Sequence, residues 1–154
     1  MRYLISYIYH FFVSNSRHGT HSPFVYSLAE QVIYNPEYKC LSIVDYPEGF
    51  NPKYKDLLNK ILGFWKLSEI SKDINNPDPT VYWVNSSVKD INKLLELVDK
   101  GKVLIIHEPY KKNQAGLWKG LIEDERVTVS INLFHFGIVM KREGQRKEDF
   151  LLRQ

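Results

Sequence analysis

Apolar side chains recur at helical spacing from the first residues of the chain. Leu4, Ile5, Ile8, Phe11 and Phe12 fall three and four apart, which predicts a helix with that face packed on the domain; a membrane-surface or dimer contact is the second reading. Ser22-Pro23 predicts a helix start, with the serine oxygen accepting an orphan backbone N–H and proline at the first helical position. Phe24, Leu28, Val32 and Ile33 supply its inner face, and Asn35-Pro36 ends it. Residues 40–45 suggest a short extended piece, and Tyr46 to Pro52 a loop. Tyr54, Leu57, Leu58, Ile61, Leu62 and Trp65 then predict a strong helix. The run Asn75-Asn76-Pro77-Asp78-Pro79 is a clear break.

The second half is more legible. Thr80 to Val84 is a β-rich run, and Ser87 with Asp90 stands in capping-box spacing. Val88, Ile91, Leu94, Leu95 and Val98 form a helical stripe, with Gly101 where a C-cap glycine belongs. Lys102 to His107 is a continuous apolar strand, the pattern of a strand covered on both faces. Together these predict a right-handed βαβ unit. Leu117, Trp118, Leu121 and Ile122 predict a helix over 113–122. Val127, Val129, Ile131 and Leu133 alternate with Thr128, Ser130 and Asn132 as in a two-faced strand. Phe136 to Met140 returns after a turn at Phe134-His135, and Phe150 to Leu152 adds a terminal strand. The expected fold is one α/β domain over 1–154, with an N-terminal helical region at 1–36 and a sheet-forming half at 80–154. Its mixed sheet has four to five strands, including an antiparallel C-terminal hairpin.

Composition narrows the classes. With 154 residues, 44% hydrophobic and 25% charged, the chain has the makings of a globular domain and not of a disordered tail. The net charge of +3 is well mixed. Lys111-Lys112 and the stretch Lys141, Arg142, Arg146, Lys147 are the nearest approaches to a basic cluster, and they argue weakly for nucleic acid. Tyr82, Trp83, Trp65 and Phe134 read as a base-stacking surface only if exposed, and aromatics at this spacing more often form core. A single cysteine, Cys40, excludes an internal disulfide and suits a reducing, cytoplasmic setting. The apolar N-terminus is too short to span a bilayer.

Two segments carry a resemblance. Arg17-His18-Gly19-Thr20-His21-Ser22-Pro23-Phe24-Val25-Tyr26 resembles the N-terminal signature of a group of class I S-adenosylmethionine-dependent methyltransferases common in Bacteroidetes. Val127 to Val139 looks like the terminal hairpin of the same group, and the βαβ unit lies where that family has its fourth and fifth strands. The resemblance implies a reduced Rossmann-like methyltransferase fold. The departures are as informative. The family's donor site needs a glycine-rich turn after the first strand and an acidic residue after the second. Here Leu67 to Ser71 runs straight into the proline-broken segment, so the first three strand-helix units are expected to be absent or reduced to a stub. Asn85 stands where relatives resembling catechol-type O-methyltransferases place an aspartate, and His107-Glu108 stands where paired aspartates are usual.

The candidate catalytic residues are therefore His107, Glu108 and Asn85. His107 and Glu108, adjacent on a strand, should point to opposite faces. Arg17, His18 and His21 are candidate ligand-binding residues near a helix start. His18 and His21 with His107 or His135 and Glu108 would have to converge to hold zinc, and neither a metal nor a cofactor is expected. The reading is a degenerate, methyltransferase-like pseudoenzyme that acts through protein contacts. S-adenosylmethionine enters only if a second chain completes the donor site, and a small nucleic-acid-associated protein is the weaker alternative. A sheet shortened on one side should leave the strand near Val81 as an apolar edge, covered by a helix or paired in a homo-oligomer.

Overall fold

The computed structural model describes residues 2–14, 22–40, 46 and 49–152. Among them, helices α1 (Arg2–Val13), α2 (Pro23–Leu28) and α3 (Pro52–Phe64) precede the sheet. Strand β1 (Val81–Val84), helix α4 (Ile91–Asp99) and strand β2 (Val103–His107) follow, then α5 (Ala115–Glu123), β3 (Val129–Asn132), β4 (Phe136–Met140) and β5 (Glu148–Leu151). The five-stranded mixed sheet has the order β1-β2-β4-β3-β5. β1 and β2 run parallel, with Val81 opposite Val103. β4 inserts antiparallel between β2 and β3, and β5 closes the far edge parallel to β3. This is the α/β mixed sheet that the hydrophobic pattern predicts, hairpin and terminal strand included.

Each face of the sheet has its own core. On one, Val81, Trp83, Ile105, Ile131, Phe136 and Ile138 meet Val25, Leu28 and Val32 of the α2 region and Leu58, Ile61 and Leu62 of α3. On the other, Tyr82, Val84, Leu104, Ile106 and Val139 meet Leu94, Leu95 and Val98 of α4 and Trp118 and Leu121 of α5. Helices on both sides explain why β2 reads as an uninterrupted apolar run. Tyr82, Trp83 and Phe134 are buried in or under these layers, which removes them as a base-stacking surface.

Local chemistry differs from the expectation at several helix starts. Asp90, not Ser87, caps α4 by accepting from the Lys93 N–H at 3.1 Å, so the helix begins later than Val88. Ser22 takes the extended N-cap conformation, but its hydroxyl donates to Gln145 Oε1 at 3.3 Å and accepts no helix N–H. A π-helical stretch, Ala29–Ile33, extends α2; Val25, Leu28, Ala29 and Val32 are buried, with Phe24 and Ile33 half-buried. Asn51 caps α3 through the Lys53 N–H. Gly101 sits at φ +79 as the predicted C-cap. Of the extended piece expected over 40–45, residues 41–45 lie outside the described residues.

The edge beside β1 is bridged at one residue by the chain itself. Ser71 forms a single parallel bridge to Tyr82: its N–H donates to the Val81 carbonyl at 2.9 Å, and its carbonyl accepts from the Trp83 N–H at 2.7 Å. Two outward-facing backbone groups of β1, the Val81 carbonyl and the Trp83 N–H, thus pair with the segment before the proline break, so the edge near Val81 is bridged at one point.

The largest difference concerns α1. The helix forms as predicted, but the face chosen from its periodicity points outward: Leu4, Ile5, Ile8, Phe11 and Phe12 are all exposed. The stripe on the other side is Tyr3, Tyr7, His10 and Ser14, with His10 and Ser14 buried, Tyr3 half-buried and Tyr7 at its border, 46% exposed. Tyr3, Tyr7 and His10 meet a surface of Glu108, Asn132, Phe134 and His135, which offers hydrogen-bond partners and ring edges that aliphatic groups could not satisfy. No described helix is long and apolar enough to cross a membrane.

Candidate functional site

The residues with most chemistry gather where β2 ends and the β3–β4 turn passes beside it. Two backbone features build this corner. Glu108, directly after β2, adopts φ +51, held by its N–H donating to the His135 carbonyl at 2.9 Å and its carbonyl accepting from the Lys111 N–H at 3.0 Å. Phe134 adopts φ +65, with its N–H donating to Asn132 Oδ1 at 3.0 Å. Two non-glycine residues in the left-handed region within one corner are strained conformations, which tend to cluster at functional positions.

The corner brings three polar side chains together. The Tyr3 hydroxyl, from α1, donates a short hydrogen bond to Glu108 Oε2. His135 Nδ1 lies 3.4 Å from Glu108 Oε1. A carboxylate only accepts, so Nδ1 carries the hydrogen in this contact. Tyr54 of α3 stacks on the His135 ring, centroids 4.1 Å apart. Burial by itself would raise the Glu108 carboxyl; the hydrogen bonds from His135 and Tyr3 and the charge of Lys111 outweigh it, and the net shift is downward. Burial and the Glu108 charge push the Tyr3 phenol up, so it stays a hydrogen-bond donor.

A cleft of about 820 Å³ opens beside this cluster, lined by Tyr3, Ser6, Glu108, Tyr110, Lys111 and Lys112, with Ala115 at the start of α5. It lies at the carboxyl end of β2 and is mainly apolar, with two exposed lysines at its rim. On the other flank of α1, Lys53 and Tyr54 meet Tyr7, His10 and Phe11 in a smaller recess. His10 is buried, and its Nε2–H donates to the Asn132 carbonyl at 3.3 Å, anchoring the end of α1. Burial lowers its affinity for a proton.

The predicted candidates separate. Glu108 belongs to the cluster. His107 is not hydrogen-bonded into the cluster; its ring packs 5.1 Å from that of Trp83 and 5.6 Å from that of Phe50, while Glu108 lies past the strand, where its left-handed backbone sets its direction. Asn85 is exposed and serves its own turn, Oδ1 accepting from the Ser87 N–H and hydroxyl. It does not line the cleft. Arg17, His18 and His21 lie outside the described residues. Among those described, no three His, Cys, Asp or Glu side chains are grouped to hold a metal ion. The basic C-terminal residues are engaged locally: Lys141 pairs with Asp99 at 2.7 Å, Arg142 lies 3.8 Å over the Phe24 ring, and Lys147 donates to the Asp124 and Val127 carbonyls.

Sequence reasoning gave Tyr3 no role in the site, placed Tyr54 only on a helix face, and read His135 as a turn residue or a remote metal ligand. The available signal was the spacing of hydrogen-bonding side chains at 3, 7, 10 and 14 inside an otherwise apolar segment.

His107 has a measurable consequence. Burial pushes its imidazole below the ordinary 6.5, so the folded state prefers the neutral ring. The unfolded chain then binds more protons as pH falls, so this contribution is complete above 6.5 and is lost as pH drops through the lower folded-state value. Urea unfolding followed between about pH 7 and pH 5 should show stability falling toward acid, with a flatter slope for His107→Leu. An unchanged slope in the variant would mean the ring titrates normally. Comparison with protein-family models, curated proteins and solved structures finds no match to this chain.

Proposed function

We propose that this chain is a noncatalytic, methyltransferase-like domain that has no S-adenosylmethionine site of its own and works as a binding protein. One observation carries the reading: α1 lies across the corner where β2 ends. Tyr3 is bonded to Glu108 there, and the Tyr7 and His10 rings pack on Phe134. In open α/β sheets that end of the strands is where cofactor and substrate meet, in a crevice formed where neighbouring strands send their connections to opposite sides. Beyond β1 the neighbour is the single bridge at Ser71, so the described residues form no such divergence.

Further support comes from β4 seated between β2 and β3, as a terminal hairpin adjoining the parallel pair should be, and from Asn85 engaged in its own turn. In this reading the interaction surface is α1, which carries the exposed apolar side chains, with the cleft beside it.

Thermal unfolding with and without S-adenosylmethionine tests the reading. The expected result is an unchanged midpoint at millimolar ligand. A ligand at about a hundred times its Kd would add about 2.7 kcal/mol to the folded state, an easily visible rise. Saturable stabilisation of that size would establish a donor site and restore the methyltransferase alternative.

A further inference from the structure

We infer that α1 is an interfacial helix that seats this domain on the surface of an anionic lipid bilayer. The inference rests on the reading of α1 as the interaction surface and names its partner. All the large hydrophobic side chains that stand exposed among the described residues belong to this one helix: Leu4, Ile5, Tyr7, Ile8, Tyr9, Phe11, Phe12 and Val13. Soluble surfaces scatter such residues singly, and a contiguous patch marks an interaction site. Phe12 is 76% exposed and Ile5 60%, on the side of the helix away from the Tyr3–His10 stripe that anchors it.

Charge selects the partner. The α1 sequence, RYLISYIYHFFV, contains no acidic residue. Exposed lysines flank both long sides of the helix: Lys111 and Lys112 across the cleft from Tyr3 and Ser6, and Lys53 across the recess from Tyr7 and Phe11. Glu108 sits beneath the helix, bonded to Tyr3 and His135. An apolar, aromatic outer face with cations at its shoulders is the arrangement of a helix that lies in the headgroup region while lysines meet anionic lipids.

A second copy of this chain fits less well. Facing copies would bring the lysine shoulders together, a like-charge contact that disfavours pairing.

Vesicle flotation of the full chain at low salt provides the test, with phosphatidylcholine vesicles and with vesicles that also contain phosphatidylserine. The protein should float with the anionic vesicles, less with the neutral ones, and be released by salt. Ile5→Ser/Ile8→Ser/Phe12→Ser should weaken binding at least about tenfold, and Lys111→Ala/Lys112→Ala about tenfold or more on anionic vesicles. The thermal midpoint of the α1 variant should match the parent, since its altered side chains are exposed; the lysine variant also loses the Lys111 charge beside Glu108, so its vesicle binding is read at a temperature where it is fully folded. Absence from the anionic fraction, or equal flotation with both vesicles, overturns the inference. So does a vesicle-free dimer in light scattering that the α1 variant dissociates, which would assign the face to a second copy. Stabilisation by S-adenosylmethionine with flotation intact would end the noncatalytic reading and leave this one standing.

Discussion

Glu108→Ala is expected to destabilise the fold by about 1.5–3 kcal/mol at neutral pH, the usual contribution of hydrogen bonds to a charged group. The carboxylate holds the Tyr3 hydroxyl on one oxygen and faces His135 on the other, so its removal loosens both α1 and the β3–β4 turn. Glu108→Gly removes the same contacts but also relieves the φ of +51, which costs an L-residue roughly 1–2 kcal/mol. The glycine variant should therefore be less destabilised than the alanine variant by about 1 kcal/mol, part of the relief being offset by the extra freedom of glycine in the unfolded chain. Chemical denaturation of both variants measures the pair. If Glu108→Ala unfolds at the parent midpoint, the cluster contributes nothing to docking α1. If the two variants are equal, the left-handed backbone carries no strain.

The second large effect is steric. Gly137 pairs with Ile106 of β2 and with Asn132 of β3, and its missing side chain makes room for Trp118 of α5. A Cβ built there would stand 2.4 Å from Trp118 Cζ3 and 2.6 Å from Cη2. Trp118 is 6% exposed and packed among Leu104, Ile106 and Leu121, so the ring has little room to retreat. Gly137→Ala should cost about 1–3 kcal/mol, the usual range for overpacking a filled core. Trp118→Leu in the same background should recover part of that loss, although Trp118→Leu alone destabilises by leaving a cavity. A double-mutant cycle reads the coupling. Strict additivity would show that the glycine serves the strand and not the tryptophan.

Both predictions fall on residues whose importance the chain conceals when read linearly. Glu108 is one carboxylate after an apolar run, and nothing in its neighbours announces a left-handed backbone. That conformation follows from two long-range constraints, the hydrogen bond to the His135 carbonyl and the turn closed by Lys111. His135 itself reads as a turn residue until β4 is placed beside β2, which carries it to the Glu108 carboxylate. Asn85 and His107 stand at strand ends, but one is spent on its own turn and the other packs on the rings of Trp83 and Phe50.

What the amino-acid order determined by itself is the framework of the second half. The β1–α4–β2 unit, the β3–β4 hairpin and the terminal strand rest on local period and on signals such as Gly101, where neighbours in sequence are the neighbours that matter. The tertiary structure alone decided which face of α1 turns inward. Periodicity finds the apolar side of a helix, yet the surface beneath α1 offers a carboxylate, a backbone carbonyl and ring edges, and Tyr3, Tyr7 and His10 satisfy these where leucine and isoleucine cannot. It also decided that Ser71 bridges the edge of β1 at Tyr82, because a single bridging residue has no periodicity to display.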